Sequence, residues 1–198
     1  MSNEKMKYMQ HYQDTFPLMD YEEQLLKVLN EQPDGSAWSL LMEILAHDRA
    51  IRYQLLARYI PLNLDKMLHL LQSFIQEQKQ GEDTIPEAGE NELQRLTDAL
   101  TERGKELLDA GEFLEAADTG FAILLAMEPE LPNVYDEGIS YQAIVDETFG
   151  FLRTIAKEKY GPETKALLQA RTATLYSERK EADRYYDDEW LGLIKLFC

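Results

Sequence analysis

Apolar residues recur every three or four positions along most of this 198-residue chain, the spacing of a helix with one buried face. The pattern is sharpest in Thr97–Pro129. Leu100, Gly104, Leu107 and Leu108 fall on neighbouring faces of one helix there, and Phe113, Ala116, Ala117, Phe121, Leu124 and Leu125 fall on a second. Gly111 lies between them and can adopt the left-handed backbone that ends a helix. Pro129 follows the second run. The segment predicts a helical hairpin, with Gly104 opposite Ala116 where the two backbones approach.

The same period continues on both sides. Residues 1–15 are polar, offer few helix-core positions and predict a loosely ordered N-terminus. Phe16–Leu29 places Leu18, Tyr21, Leu25, Val28 and Leu29 on one side, and Pro17, Asp20, Glu22 and Glu23 suit its start. Gln32–Gly35 reads as a turn, and Ser36 as the cap of a helix burying Trp38, Leu41, Ile44 and Leu45. His47-Asp48 marks a break, with Asp48 capping the next helix through Ile51, Leu55, Leu56 and Tyr59, although one long helix also fits; Pro61 ends the segment. Leu64–Ile75 follows with Leu64, Met67, Leu68, Leu71 and Ile75 at helical spacing.

Gly81–Glu90 holds glycine, proline and acids, with only Ile85 to bury, and predicts a loop or linker between helical subdomains at 16–80 and 91–198. Beyond the hairpin, Tyr141–Lys157 carries Ile144, Val145, Phe149, Leu152 and Ile155, and Gly161-Pro162 breaks it. Glu163–Glu181 turns Leu167, Leu168, Thr172 and Leu175 inward. A last short helix, capped at Asp187 or Asp188, carries Trp190, Leu191, Ile194 and Leu196. Almost no segment alternates apolar and polar residues as a strand would. The expected fold is all-α, eight or nine helices in antiparallel pairs stacked as a short right-handed superhelix.

The hairpin resembles the tetratricopeptide repeat. Gly104, Leu107, Gly111, Phe113 and Ala116 stand at the spacing of that repeat's small, aromatic, turn-glycine and alanine positions. Gly120 replaces the usual second aromatic, and Pro129 comes one residue late. A partial echo lies 34 residues on, with Gly138, Tyr141 and Gly150 after Gly104, Leu107 and Ala116, although Val145 stands where a turn glycine would match Gly111. A looser likeness runs from Trp38 to Leu196. Ile44–Tyr59, the run LLDAGEFLEAA and the segment Asp136-Glu137-Gly138 are similar to the helical region that accompanies SWIM-type zinc fingers in some bacterial proteins. The first resemblance implies a degenerate helical-repeat scaffold. The second implies a helical scaffold without metal, because one cysteine and three scattered histidines do not make a zinc finger.

Charge changes this picture more than composition does. Twenty basic residues stand against 37 acidic ones, a net charge of −17, which disfavours nucleic acid and anionic membranes as partners. A single cysteine, no apolar run long enough to cross a membrane and no apolar leader predict a cytoplasmic chain without disulfides.

Candidate chemistry is sparse. Glu43/His47 and Asp65/His69 are acid–histidine pairs at i,i+4, and in a helix bundle such residues can ligate metal or serve an enzyme. Both pairs lack the further carboxylates that a metal site requires, so surface hydrogen bonds are the simpler account. Asp136–Glu147 has acids at the first and twelfth places of a calcium loop, but Gly138 and Tyr141 occupy its third and sixth. No phosphate loop, nucleophile elbow or dinucleotide fingerprint is present. No catalytic residue and no cofactor is expected.

One stretch exceeds background. From Glu106 to Leu152 there is no Lys, Arg or His, yet there are eleven acids: Glu106, Asp109, Glu112, Glu115, Asp118, Glu128, Glu130, Asp136, Glu137, Asp146 and Glu147. A solvated acidic face explains this simply. A recognition surface for a basic protein or peptide explains it too, with Glu112, Glu115, Asp118, Asp136 and Glu137 as acids and Tyr135 and Tyr141 as aromatic anchors. Glu112, Glu115 and Asp118 recur at spacing three and so share one helix face. An interaction or scaffold module is the leading expectation. An enzyme or metal protein, and an accessory subunit of an oligomer, are the alternatives.

Overall fold

A computed structural model describes residues 48–59, 63–79, 84–133, 139–179 and 186–197. The chain divides into compact units Met1–Asp48 and Arg49–Cys198, and every described helix belongs to the second. The helices expected at Phe16–Leu29 and after Ser36 lie outside the described residues. Among those described there are seven α-helices and no strand: α1 Arg49–Tyr59, α2 Leu64–Lys79, α3 Glu87–Asp109, α4 Phe113–Met127, α5 Ile139–Lys157, α6 Pro162–Glu178 and α7 Asp187–Leu196. A 3-10 turn, Glu128–Asn133, continues α4.

α4 is the centre. Its fifteen residues are the most apolar of any described helix, and eleven are buried, including Ala116, Ala117, Phe121, Leu124 and Met127. A helix apolar all round must be enclosed on all sides. α2, α3, α5 and α6 all pack on it. α3 lies along α1 and α5 as well, and α7 closes the far end against α5 and α6.

The hairpin forms where the pattern placed it. Gly111 has φ 80°, a conformation that costs glycine nothing, and it turns the chain between α3 and α4. The Glu112 amide reaches back to the Leu107 carbonyl at 2.9 Å and the Gly111 amide to Leu108 at 3.0 Å, closing the end of α3. The close approach is displaced by one helical turn from the expected pair. A Cβ on Gly104 would meet Thr119 Oγ1 and stand 2.7 Å from Phe151 Cζ, so Thr119 and α5, not Ala116, require the glycine. Thr119 donates its hydroxyl to the Ala116 carbonyl at 2.7 Å, which keeps that buried oxygen satisfied.

α3 begins inside the stretch expected to be a loop. Pro86 takes an extended backbone at the N-cap, and the helix runs from Glu87. Ile85 is 5% exposed, and a Cβ on Gly89 would lie 2.6 Å from Ile85 Cγ2, so this glycine serves packing where a linker was expected.

Two helices, α1 and α7, turn a different face inward from the one expected, while α6 buries three of its four expected residues. On α1, Tyr53 and Ala57 are buried while Ile51 and Leu56 face solvent. On α6, Leu168, Thr172 and Leu175 are buried while Leu167 is 49% exposed. On α7, Trp190, Leu193 and Phe197 are buried while Leu191 and Leu196 are exposed. Each of these short helices carries apolar residues on more than one side, so periodicity alone leaves two candidate faces. The neighbour decides: Trp190 stacks on Phe121 with ring centroids 6.0 Å apart and meets Phe149 edge-on at the same separation.

Candidate functional site

The cation-free run from Glu106 to Leu152 is threaded through the centre of the fold, on α3, α4 and α5. Its acids meet cations supplied by other parts of the chain. Arg58 of α1 reaches Glu106 at 2.6 Å, Arg171 of α6 reaches Asp118 at 2.9 Å, Lys79 of α2 reaches Glu130 at 2.5 Å, and Arg179 reaches Glu128 at 2.5 Å. Four of the eleven acids therefore face cations from far away in sequence.

The pair at Glu128 is the most enclosed. The side chains of Arg179 and Glu128 are 2% and 3% exposed. Glu128 Oε2 takes the Arg179 guanidinium, and Oε1 accepts the indole N–H of Trp190 at 2.6 Å. Arg179 Nη1 also donates to Asp187 Oδ1 at 3.2 Å, and the guanidinium lies 5.1 Å from the Trp190 ring and 5.7 Å from that of Tyr176. Both carboxylate oxygens are satisfied, and the cation also rests on aromatic faces. This cluster ties the end of α4, the end of α6 and the start of α7 together.

The pair at Asp118 is built differently. Its side chain is 10% exposed while that of Arg171 is 38% exposed. Arg171 Nε stands close enough for charge attraction, yet Oδ1 is buried and makes no aligned hydrogen bond. Burial pushes the carboxyl up to about 6 against the pull of Arg171, and Glu115 and Asp65 add to the rise.

Of the expected recognition residues, Glu112 and Glu115 are exposed at the start of α4, whereas Asp118 is buried. Glu112 is the N-cap of α4 and Glu115 lies in its first turn, while Asp118, one turn further on, meets Arg171 of α6. Tyr141, expected as an exposed anchor, is 3% exposed, and burial first, then Glu90 and Glu130, push its hydroxyl pKa up. Both expectations fail for one reason: α4 and α5 are enclosed by helices from other parts of the chain, which a local charge pattern does not reveal. Tyr135, Asp136 and Glu137 lie outside the described residues.

Asp65 and His69 are both exposed on α2, and Glu43 and His47 lie outside the described residues. Among the described residues no three His, Cys, Asp or Glu side chains gather as a metal site would need. No described helix is long and apolar enough to cross a membrane.

Arg171, Arg179, Glu128 and Trp190 carry the electrostatics of this region, and the sequence marked only one hint of it: a long acidic run has to find its counter-charges elsewhere. Of the described acids of the run that no cation faces, Asp146 and Glu147 are exposed on α5 and three more are exposed together at the tip of the hairpin. Asp109 ends α3, Glu112 precedes α4 and Glu115 lies in its first turn, grouped around Gly111. Comparison with protein-family models, with curated proteins and with solved structures finds no match to this chain.

Proposed function

We propose that this chain is a helical interaction module that takes a basic protein or peptide at the tip of the α3–α4 hairpin. The observation that carries the reading is the contrast within one acidic run. Glu106, Asp118, Glu128 and Glu130 each face a cation from within the chain, while Asp109, Glu112 and Glu115 remain exposed together around an open glycine turn. Like charges held close around one turn repel, and a cationic partner would relieve that repulsion. Such a surface steers an oppositely charged partner and sets its register.

A stacked-pair architecture of the right-handed superhelical kind is part of this proposal. α1 packs on α3 and α3 on α5, while α2 packs on α4 and α4 on α6, so alternate helices meet as they do in stacked helical hairpins. Such stacks hold their hairpin turns in a row along one edge, where a partner can read them.

The test is capture of a lysine-rich peptide by the full chain, followed by fluorescence anisotropy at low and at moderate ionic strength. Binding should weaken with salt in the parent. In the triple variant Asp109→Asn, Glu112→Gln, Glu115→Gln it should be weaker and less salt-dependent. Equal capture by both proteins, with one salt response, would remove the hairpin tip as the docking site.

A further inference from the structure

Asp118 differs from the other paired acids of the run in what surrounds it. One cation, Arg171 from α6, faces it against two further acids, Glu115 one turn back on α4 and Asp65 from α2; these are the charged groups among the described residues that act on it. Its Oδ1 is buried without an aligned hydrogen bond, and its counter-ion is a half-buried side chain on α6. That helix holds on by little. α6 buries only Leu168, Thr172 and Leu175. Tyr176 packs on the core from within it, and two further anchors lie outside its length: Tyr160 before it, against Phe113 at 5.2 Å, and Arg179 after it. An element with few buried apolar contacts opens locally at low free energy.

The geometry points to Asp118 as a proton-operated clamp on α6: the carboxyl holds a proton while α6 is docked over it and releases the proton when α6 lifts away. With α6 docked, burial raises the group from 3.8 to about 6. With α6 lifted, water returns to the carboxylate and the group falls back towards its ordinary value. The docked state therefore binds the proton more tightly. The docking this contributes is complete below the ordinary aspartate value of about 4 and is lost as pH rises through about 6. Above that, α6 covers a charged carboxylate whose attraction to Arg171 does not offset its lost hydration.

The experiment is hydrogen exchange of the Leu168–Leu175 amides in the full chain across pH 5 to 7.5, corrected for the intrinsic pH dependence of exchange. Protection in α6 should fall about tenfold over that range, while amides of α4 at Phe121–Leu125 keep theirs. The variant Asp118→Asn cannot ionise, and its α6 protection should be flat with pH. A flat profile in the parent, or a tenfold fall that persists in Asp118→Asn, would overturn the clamp. Should the variant fail to fold, the carboxyl carbon of Asp118 in the parent decides by NMR titration: a midpoint near 6 supports the proposal and one near 4 ends it.

Discussion

Two arginine–carboxylate pairs hold the C-terminal helices to α4, and they solve the same physical problem unequally. At Glu128 both oxygens have donors, Arg179 and the Trp190 indole, and the cation has Asp187 and two aromatic rings beside it. At Asp118 one misaligned arginine faces a carboxylate that two other acids crowd. Removing an ion from water costs several kcal/mol, roughly, and attraction repays this only when the remaining lone pairs and protons are also satisfied. The first pair meets this at both carboxylate oxygens and is the more fixed joint. The second is held in balance by a proton.

Breaking the fixed joint should give the largest effect. Arg179→Met leaves Glu128 buried with the indole N–H as its chief donor and should cost about 3–5 kcal/mol in urea denaturation. The double variant Arg179→Met, Glu128→Leu removes both charges and should recover much of that loss. A double variant as unstable as the sum of the singles would mean that the pair acts through shape and not charge.

Asp118→Asn should behave in the opposite sense. Stability from this group is present at low pH and lost as pH rises through about 6, because folding raises its proton affinity. The variant should lose that pH dependence and, near pH 8, equal the parent or exceed it by about 1–3 kcal/mol, the usual cost of a buried polar group left without partners. Thermal melts of the two proteins at pH 5 and pH 8 check this. A variant less stable than the parent at both would show that the Arg171 attraction outweighs desolvation, and the two pairs would then be alike.

The smallest effect is expected at the solvent-facing pair. Arg58 and Glu106 meet at 2.6 Å with side chains 28% and 61% exposed. Glu106→Gln should change stability by about 0–1 kcal/mol and less in high salt, since water already screens the contact. A loss above that range in the denaturation midpoint would mean burial does not rank these pairs. Arg103 donates to the Arg58 carbonyl at 3.0 Å, so the α1–α3 contact survives without the carboxylate.

The hairpin was legible because its signals are local. Gly111, the small residues and the strong period of α3 and α4 act within a few turns, and the expected turn is the one observed. Tyr141–Lys157 was legible in the same way, and α5 spans it with two further residues at its start. The expected loop at Gly81–Glu90 ran past the start of α3 at Glu87 because composition was weighed over packing: Ile85 and Gly89 together make a contact that no local count reveals.

The candidate site was legible only as an imbalance. Eleven acids without a cation announce that charge must be managed, but Arg58, Lys79, Arg171 and Arg179 come from outside the run, and tertiary folding alone brings them to it. Helical period and turn glycines are short-range properties of the backbone, so the amino-acid sequence by itself determined that these segments are helices and that α3 and α4 form a hairpin. Which acid is buried, which arginine meets it and whether its oxygens find donors depend on contacts between α4 and helices some tens of residues away. The three-dimensional packing alone decided that Glu128 is satisfied, that Asp118 is not, and that the hairpin tip stays open to solvent.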